Sequence, residues 1–219
     1  AEPQISEGDF AAAAPLLESA DSVFRSYLTV EHPDYHLADY QRARMALWSG
    51  QAGTAATLYQ QVHERWLRSL GPDHLWTLYA ESEWLWAKSE AATAGQRELL
   101  VQQLSSIRQR TLPLLAERLP QRSFFGEVWA WTALNLGDSE LALNELQRAR
   151  ADVRQSLPAT HPRAAVLDCI EALVWQRRGD PRQARQCLGR CAAGLSGFPP
   201  DNYRQRWLSV VTHQIRVPG

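Results

Sequence analysis

Apolar residues recur three and four positions apart over stretches of roughly twelve to twenty residues, the spacing of a helix with one buried face. Glycine, proline and polar corners break these stretches. The pattern predicts helices at about 9–28, 35–49, 52–69, 74–90, 96–117, 122–136, 138–156, 162–178, 181–194 and 200–215. The corner SLGPDH at 69–74 shows the punctuation. Leu70 closes an apolar stripe, Gly71 suits a left-handed position after the helix, and Pro72 prevents continuation. Asp73 and His74 open the next pattern. Similar corners hold His32–Pro33 and His161–Pro162.

The corners keep a ruler. Gly8, Gly50, Gly95, Gly137 and Gly179 are separated by 42, 45, 42 and 42 residues, and His32 lies 42 before His74. His74 and His161 are 87 apart, so one corner is missing. It falls at Leu119–Pro120, where the histidine is absent. The three extra residues sit in EAATAG. One unit is therefore repeated. Five positions after the glycines stand Ala13, Ala55, Leu100, Ala142 and Ala184, and nine after stand Leu17, Tyr59, Leu104, Leu146 and Leu188. Twelve after come Ala20, Val62, Ile107, Ala149 and Cys191, and seven before come Ala43, Ala130 and Ala172. Small residues at fixed places on two successive helices allow close backbones, and a large residue fills the groove between them. In SEGDFAAA, NLGDSELA and RRGDPRQA the glycine makes the turn and Asp9, Asp138 or Asp180 caps the next helix.

Glycine–aspartate at the turn and the small–large–small pattern resemble the tetratricopeptide repeat (TPR). The 42-residue period and the LGPDH corner are similar to the longer kinesin-light-chain-like form. The resemblance implies an all-α, right-handed superhelical solenoid of antiparallel helix pairs, about ten helices in one domain over 1–219. Its units lie near 9–31, 32–73, 74–119, 120–160 and 161–199, with a capping helix at 200–216. The third unit departs from the pattern through Leu100 and the longer turn, which predicts locally loosened or rotated stacking.

Composition narrows the classes. Of 219 residues, 45% are hydrophobic and 21% charged, so the chain is neither a disordered tail nor a membrane protein. A net charge of −1 argues against nucleic-acid binding. The charge is polarised, however: residues 1–100 carry 14 acids and 7 bases, residues 161–219 carry 4 and 9. Such ends can steer a partner or favour contact between copies.

Chemical motifs are absent. There is no GxGxxG, P-loop, GxSxG or HExxH, and His32 and His36 have no third ligand, so neither catalysis, a metal nor a cofactor is expected. The corner histidines are read as bonding to local backbone. Cys169, Cys187 and Cys191 fall in one unit. Counting outward from Ala172 facing Ala184 sets Cys169 level with Cys187, where a disulfide is conceivable, and makes Cys191 a small apolar core residue.

Nine tryptophans are the chief excess. Trp66, Trp76, Trp84 and Trp129 fit between helices, and Trp207 fits a terminal cap. In a superhelix of helix pairs, the first helix of each pair lines the inner groove. The register places Tyr40, Arg44, Leu47 and Trp48 there, then Tyr79, Ser82 and Trp86, then Phe124, Glu127, Trp131 and Asn135, then Cys169, Leu173 and Arg177. Tyr40, Arg44, Trp48, Tyr79, Trp86, Glu127, Trp131, Asn135 and Arg177 are the candidate ligand-binding residues, because aromatic and arginine side chains dominate binding hot spots. A tight superhelix that buries them against each other is the rival reading.

The resemblance extends to sensor regions of bacterial serine/threonine kinases and regulators. It implies a non-catalytic recognition domain binding a peptide, a protein or a small ligand in its groove, in the periplasm rather than the cytoplasm. The start AEPQ, without methionine, reads as a piece or processed product of a longer chain. The alternative function is a scaffold or assembly subunit acting through protein–protein contact or self-association.

Overall fold

The computed structural model describes residues 5, 8–158, 160–200 and 202–216. The described residues form ten α-helices and two short 3₁₀ turns, with no strand. The helices are α1 (Phe10–Tyr27), α2 (Leu37–Trp48), α3 (Ala52–Leu70), α4 (Leu75–Ser89), α5 (Ala94–Thr111), α6 (Leu119–Leu136), α7 (Ser139–Ser156), α8 (Arg163–Arg177), α9 (Pro181–Leu195) and α10 (Tyr203–Arg216). Asp201, within the expected last helix, lies outside the described residues. The chain forms two compact units, Ala1–Thr111 and Leu112–Gly219.

The turns within pairs form as the sequence dictates. Gly8, Gly50, Gly137 and Gly179 all take positive φ, between 75° and 90°, a region closed to most side chains. Asp9, Asp138 and Asp180 follow three of them, each accepting backbone N–H bonds of 2.9–3.1 Å in the first turn of the next helix. The histidine corners are also built alike. His32, His74 and His161 each accept, through Nδ1, the backbone N–H two residues ahead, at 3.2 Å in all three. Asn202 makes the same contact at the last corner, accepting from the Arg204 N–H at 3.0 Å. At the corner lacking histidine, Arg118 precedes α6 without any side-chain cap.

The third unit corrects the expectation. Gly95 makes no turn; it lies inside α5 with nothing within 4 Å of where a Cβ would stand. The turn is made instead by Glu90–Thr93, with the Gln96 carboxamide accepting from the Thr93 N–H at 3.0 Å. The fifth helix also stops early, at Thr111, because Pro113 forces a 3₁₀ turn over Leu112–Leu115. The sixth starts early, at Leu119, because Pro120 is favourable in a first turn.

Packing follows the repeat register. Ala13, Ala55, Ala142 and Ala184 are fully buried, as are Ala43, Ala130 and Ala172. Tyr59, Leu104 and Leu146 fill the grooves between them. At Gly126 of α6 the approach is closest: a Cβ there would stand 2.9 Å from Cβ of Ala149 on α7. At Gly194 of α9 it would stand 2.5 Å from Cβ of Ala165 on α8.

That register re-pairs the cysteines. With Gly194 against Ala165, Cys169 faces Cys191 rather than Cys187, and the two are joined in a disulfide with Cα atoms 5.2 Å apart. Cys191 is therefore a cross-link and not a mere apolar filler, and Cys169 is core and not groove. Cys187 remains a buried free thiol.

Candidate functional site

The first helices of the units, α2 and α4 in the first compact unit and α6, α8 and α10 in the second, carry the candidate residues. In the first unit they rest on a buried polar centre. Glu83 of α4 is fully buried; it accepts from the Tyr40 hydroxyl at 2.5 Å and lies 3.6 Å from Nε of Arg44. Burial first, and the Glu83 carboxylate second, hold the Tyr40 and Tyr59 phenols well above their usual pKa. Both remain hydrogen-bond donors at neutral pH. Tyr40 also packs edge-on to Tyr59 and obliquely against Trp66. The Arg44 guanidinium stacks over Trp48 at 4.5 Å.

Burial differs among the candidates of this unit. Tyr40 and Trp48 keep 8% exposure and Trp86 only 3%. The Trp86 indole donates to Glu90 at 2.8 Å. Little of these three rings is open to solvent. Arg44 and Tyr79 are half-buried.

In the second unit Glu127, Trp131 and Asn135 are half-buried on α6 and Arg177 is exposed at the end of α8. Glu127 accepts from Arg163 of α8 at 3.0 Å, and the same guanidinium donates to the Ser123 hydroxyl and the Pro120 carbonyl. Arg177 donates to the Leu134 carbonyl. Trp131 meets Trp207 of α10 edge-on, with centroids 5.4 Å apart, and Trp207 meets Tyr203 in the same way. Arg204 lies over Tyr203 and Phe198. The capping helix thus brings Tyr203 and Trp207 to Trp131, where the sequence reading placed Trp207 only as a terminal cap.

A second polar cluster ties α7, α8 and α9 together. Arg150 donates to Asp168 and Glu171 at 2.7 and 2.6 Å, and Arg190 reaches both carboxylates and the Cys187 sulfur. Burial, reinforced by Glu171, pushes the Cys187 thiol up to about 11, so it is protonated and unreactive at neutral pH. Sequence reasoning missed Glu83, Arg163 and this cluster.

Among the described residues no group of three or more His, Cys, Asp or Glu could hold a metal, and no helix is long and apolar enough to cross a membrane. No family model matches the chain and no curated protein does. Solved structures do. The nearly identical TPR-like repeats of a Podosopora anserina kinesin light chain superpose with a TM-score of 0.54 at 22% identity, covering 89% of this chain and 91% of that one. A variant of the same protein gives 0.56 at the same identity and coverage. The chain has the TPR-like repeat fold of the kinesin-light-chain type. In TPR terms, α2, α4, α6 and α8 are first helices and α3, α5, α7 and α9 second helices. The fold is that of a helical solenoid.

Proposed function

We propose that this TPR-like chain is a non-catalytic recognition domain that binds an extended peptide or protein segment on its first-helix faces. The observation that carries the reading is the Tyr40–Glu83–Arg44–Trp48 centre. It fixes Arg44 with little rotamer freedom left to lose, and such preorganisation lowers the cost of binding. In the second unit Trp131 rests against Trp207, and Glu127 is held by Arg163.

The finer proposal is a sensor region of a bacterial signalling protein, such as a serine/threonine kinase, working in the periplasm. The buried Cys169–Cys191 disulfide supports an oxidising compartment. The test is a displayed-peptide selection on the immobilised chain, followed by affinities of the selected peptide for Tyr79→Ala and Trp131→Phe. Loss of about tenfold or more, roughly 1.4 kcal/mol, with melting unchanged, is the expected result. Undiminished binding by both variants overturns the site.

A further inference from the structure

Exposed arginines gather at one turn of the repeat and not at its sisters. Between Glu171 and Asp201 the chain holds five arginines (Arg177, Arg178, Arg182, Arg185 and Arg190) and a single acid, Asp180, a net +4. Asp180 is already engaged: its carboxylate caps α9 by accepting from the Arg182 and Gln183 N–H groups. Arg190 is bound to Asp168 and Glu171, and Arg177 donates to the Leu134 carbonyl. Elsewhere guanidinium groups are matched to acids across helices, as Arg42 is to Asp21, Arg110 to Glu81 and Arg122 to Asp152. Arg178, Arg182 and Arg185 are exposed, and no carboxylate among the described residues pairs with any of them.

The repeat supplies the control. Counted from the turn glycine, Arg177, Arg178, Arg182 and Arg185 stand at −2, −1, +3 and +6. At Gly137 the same positions hold Asn135, Leu136, Glu140 and Leu143, and at Gly50 they hold Trp48, Ser49, Gly53 and Ala56. All three turns take positive φ and lead into a helix whose alanine five residues on is fully buried. The turn therefore forms without arginine, and the cluster at Gly179 answers to something other than the fold. On α9 the buried side is Ala184, Cys187, Cys191 and Leu195, which leaves Arg182 and Gly189 on the opposite side with Arg185 beside them. Arg182 and Arg185 are neighbours on the helix surface, about 4.5 Å apart along its axis. Gly189 has nothing within 4 Å of where a Cβ would stand, so the surface beyond them is low enough to admit another backbone. Arg178 lies over the Trp175 ring at 5.4 Å, which holds its guanidinium beside the turn.

We propose that this arginine edge, on the Gly179 turn and the outer side of α9, is a second interface apart from the first-helix faces, and that it takes an acidic segment of a partner protein. Guanidinium forks bind carboxylates through paired hydrogen bonds, and several on one edge achieve what an isolated surface ion pair does not. Peptide carboxylates fit the edge better than other polyanions do. Nucleic-acid binding commonly rests on about six to ten phosphate contacts, and three unpaired guanidinium groups on a chain of net charge −1 fall short of that. A membrane surface calls for large apolar side chains beside the cations, and among the described residues α8 and α9 expose none.

Fluorescence anisotropy of a labelled polyglutamate peptide, titrated with the 219-residue chain at low ionic strength, tests this. Arg178→Gln, Arg182→Gln and Arg185→Gln combined should weaken binding about tenfold or more and, because all three side chains are exposed, leave circular dichroism unchanged. Arg68→Gln, Arg97→Gln and Arg154→Gln combined are the control: these side chains are also exposed, the net charge changes equally, and binding should stay within about twofold. On the wild-type chain, peptide-induced amide NMR shifts should cluster at the Gly179 turn and the outer side of α9, a readout that needs no variant. Four results overturn the proposal. They are no peptide binding, equal losses in the two triple variants, shifts confined to the first-helix faces, and tighter binding through the same three arginines to a single-stranded oligonucleotide or to phosphatidylserine vesicles.

Discussion

Replacing Gly126 by alanine puts two known quantities in opposition. Gly126 lies inside α6, where alanine is favoured over glycine by about 1 kcal/mol. The new Cβ would stand 2.9 Å from Cβ of Ala149 and 3.4 Å from the Glu145 carbonyl oxygen. Neither neighbour is the end of a flexible side chain, so one helix must move, at an overpacking cost of roughly 1–3 kcal/mol. The net expectation for Gly126→Ala is a loss of about 1 kcal/mol, or ~3 °C in melting temperature for a chain of this size. With Ala149→Gly as background the obstruction is gone, and the same substitution should stabilise by about 1 kcal/mol. The cycle should thus give a coupling near 2 kcal/mol, read from urea midpoints of the four proteins. Gly189→Ala is the control: it lies in α9 with nothing within 4 Å of the added Cβ, so only the propensity gain of up to about 1 kcal/mol remains. If Gly126→Ala stabilises as Gly189→Ala does, or the coupling is near zero, the close-packing argument is wrong.

Other expectations follow from the same structure. Replacing Cys169 and Cys191 together by alanine opens a bridge spanning 22 residues and should cost about 3 kcal/mol in denaturant unfolding. An unchanged midpoint, or a peptide map linking Cys169 to Cys187, contradicts the pairing. Acid should destabilise the chain through His36, His63 and His161, whose pKa values are lowered in the fold chiefly by burial. Arg65, Arg25 and Asp39 face His36; Glu81, Glu64 and Arg110 face His63; Arg163 and Arg204 face His161. The unfolded imidazoles bind protons below about pH 6.5 while the folded ones resist, so their contribution is full above that pH and lost as pH falls through it. Urea midpoints at pH 7.5 and 5.5 measure this, and equal midpoints refute it. Asp138→Ala removes the cap on α7 and should cost about 1 kcal/mol. His74→Ala should show a smaller loss of the same kind in thermal melts; no loss from either denies the corners a structural role.

The fold was legible in the sequence because its signals are local and repeated. Glycine, aspartate and corner histidines recur on one ruler and mark turns and caps that form with little help from elsewhere. Errors arose where a tertiary contact outvoted the count. Gly95 keeps the spacing, yet the added residues let Gln96 cap a different turn and absorb the glycine into α5. Cys169 pairs with Cys191 because Gly194 on Ala165 sets the helix register, which counting from Ala172 cannot supply. The candidate surface was half legible. Register assigned Tyr40, Trp48 and Trp86 to the correct helices, but their depth depends on Glu83, an acid whose burial no periodicity announces. Trp207 was foreseen as a cap, while its contact with Trp131 depends on how α10 lies on α8 and α9.

Amide hydrogen exchange with and without a selected peptide tests the central claim most directly. Recognition by the first-helix faces predicts added protection along α2 and α4, or along α6 and α8, around Tyr79 or Trp131. Protection confined to the outer sides of α3, α7 and α9, with the first helices unchanged, would contradict it.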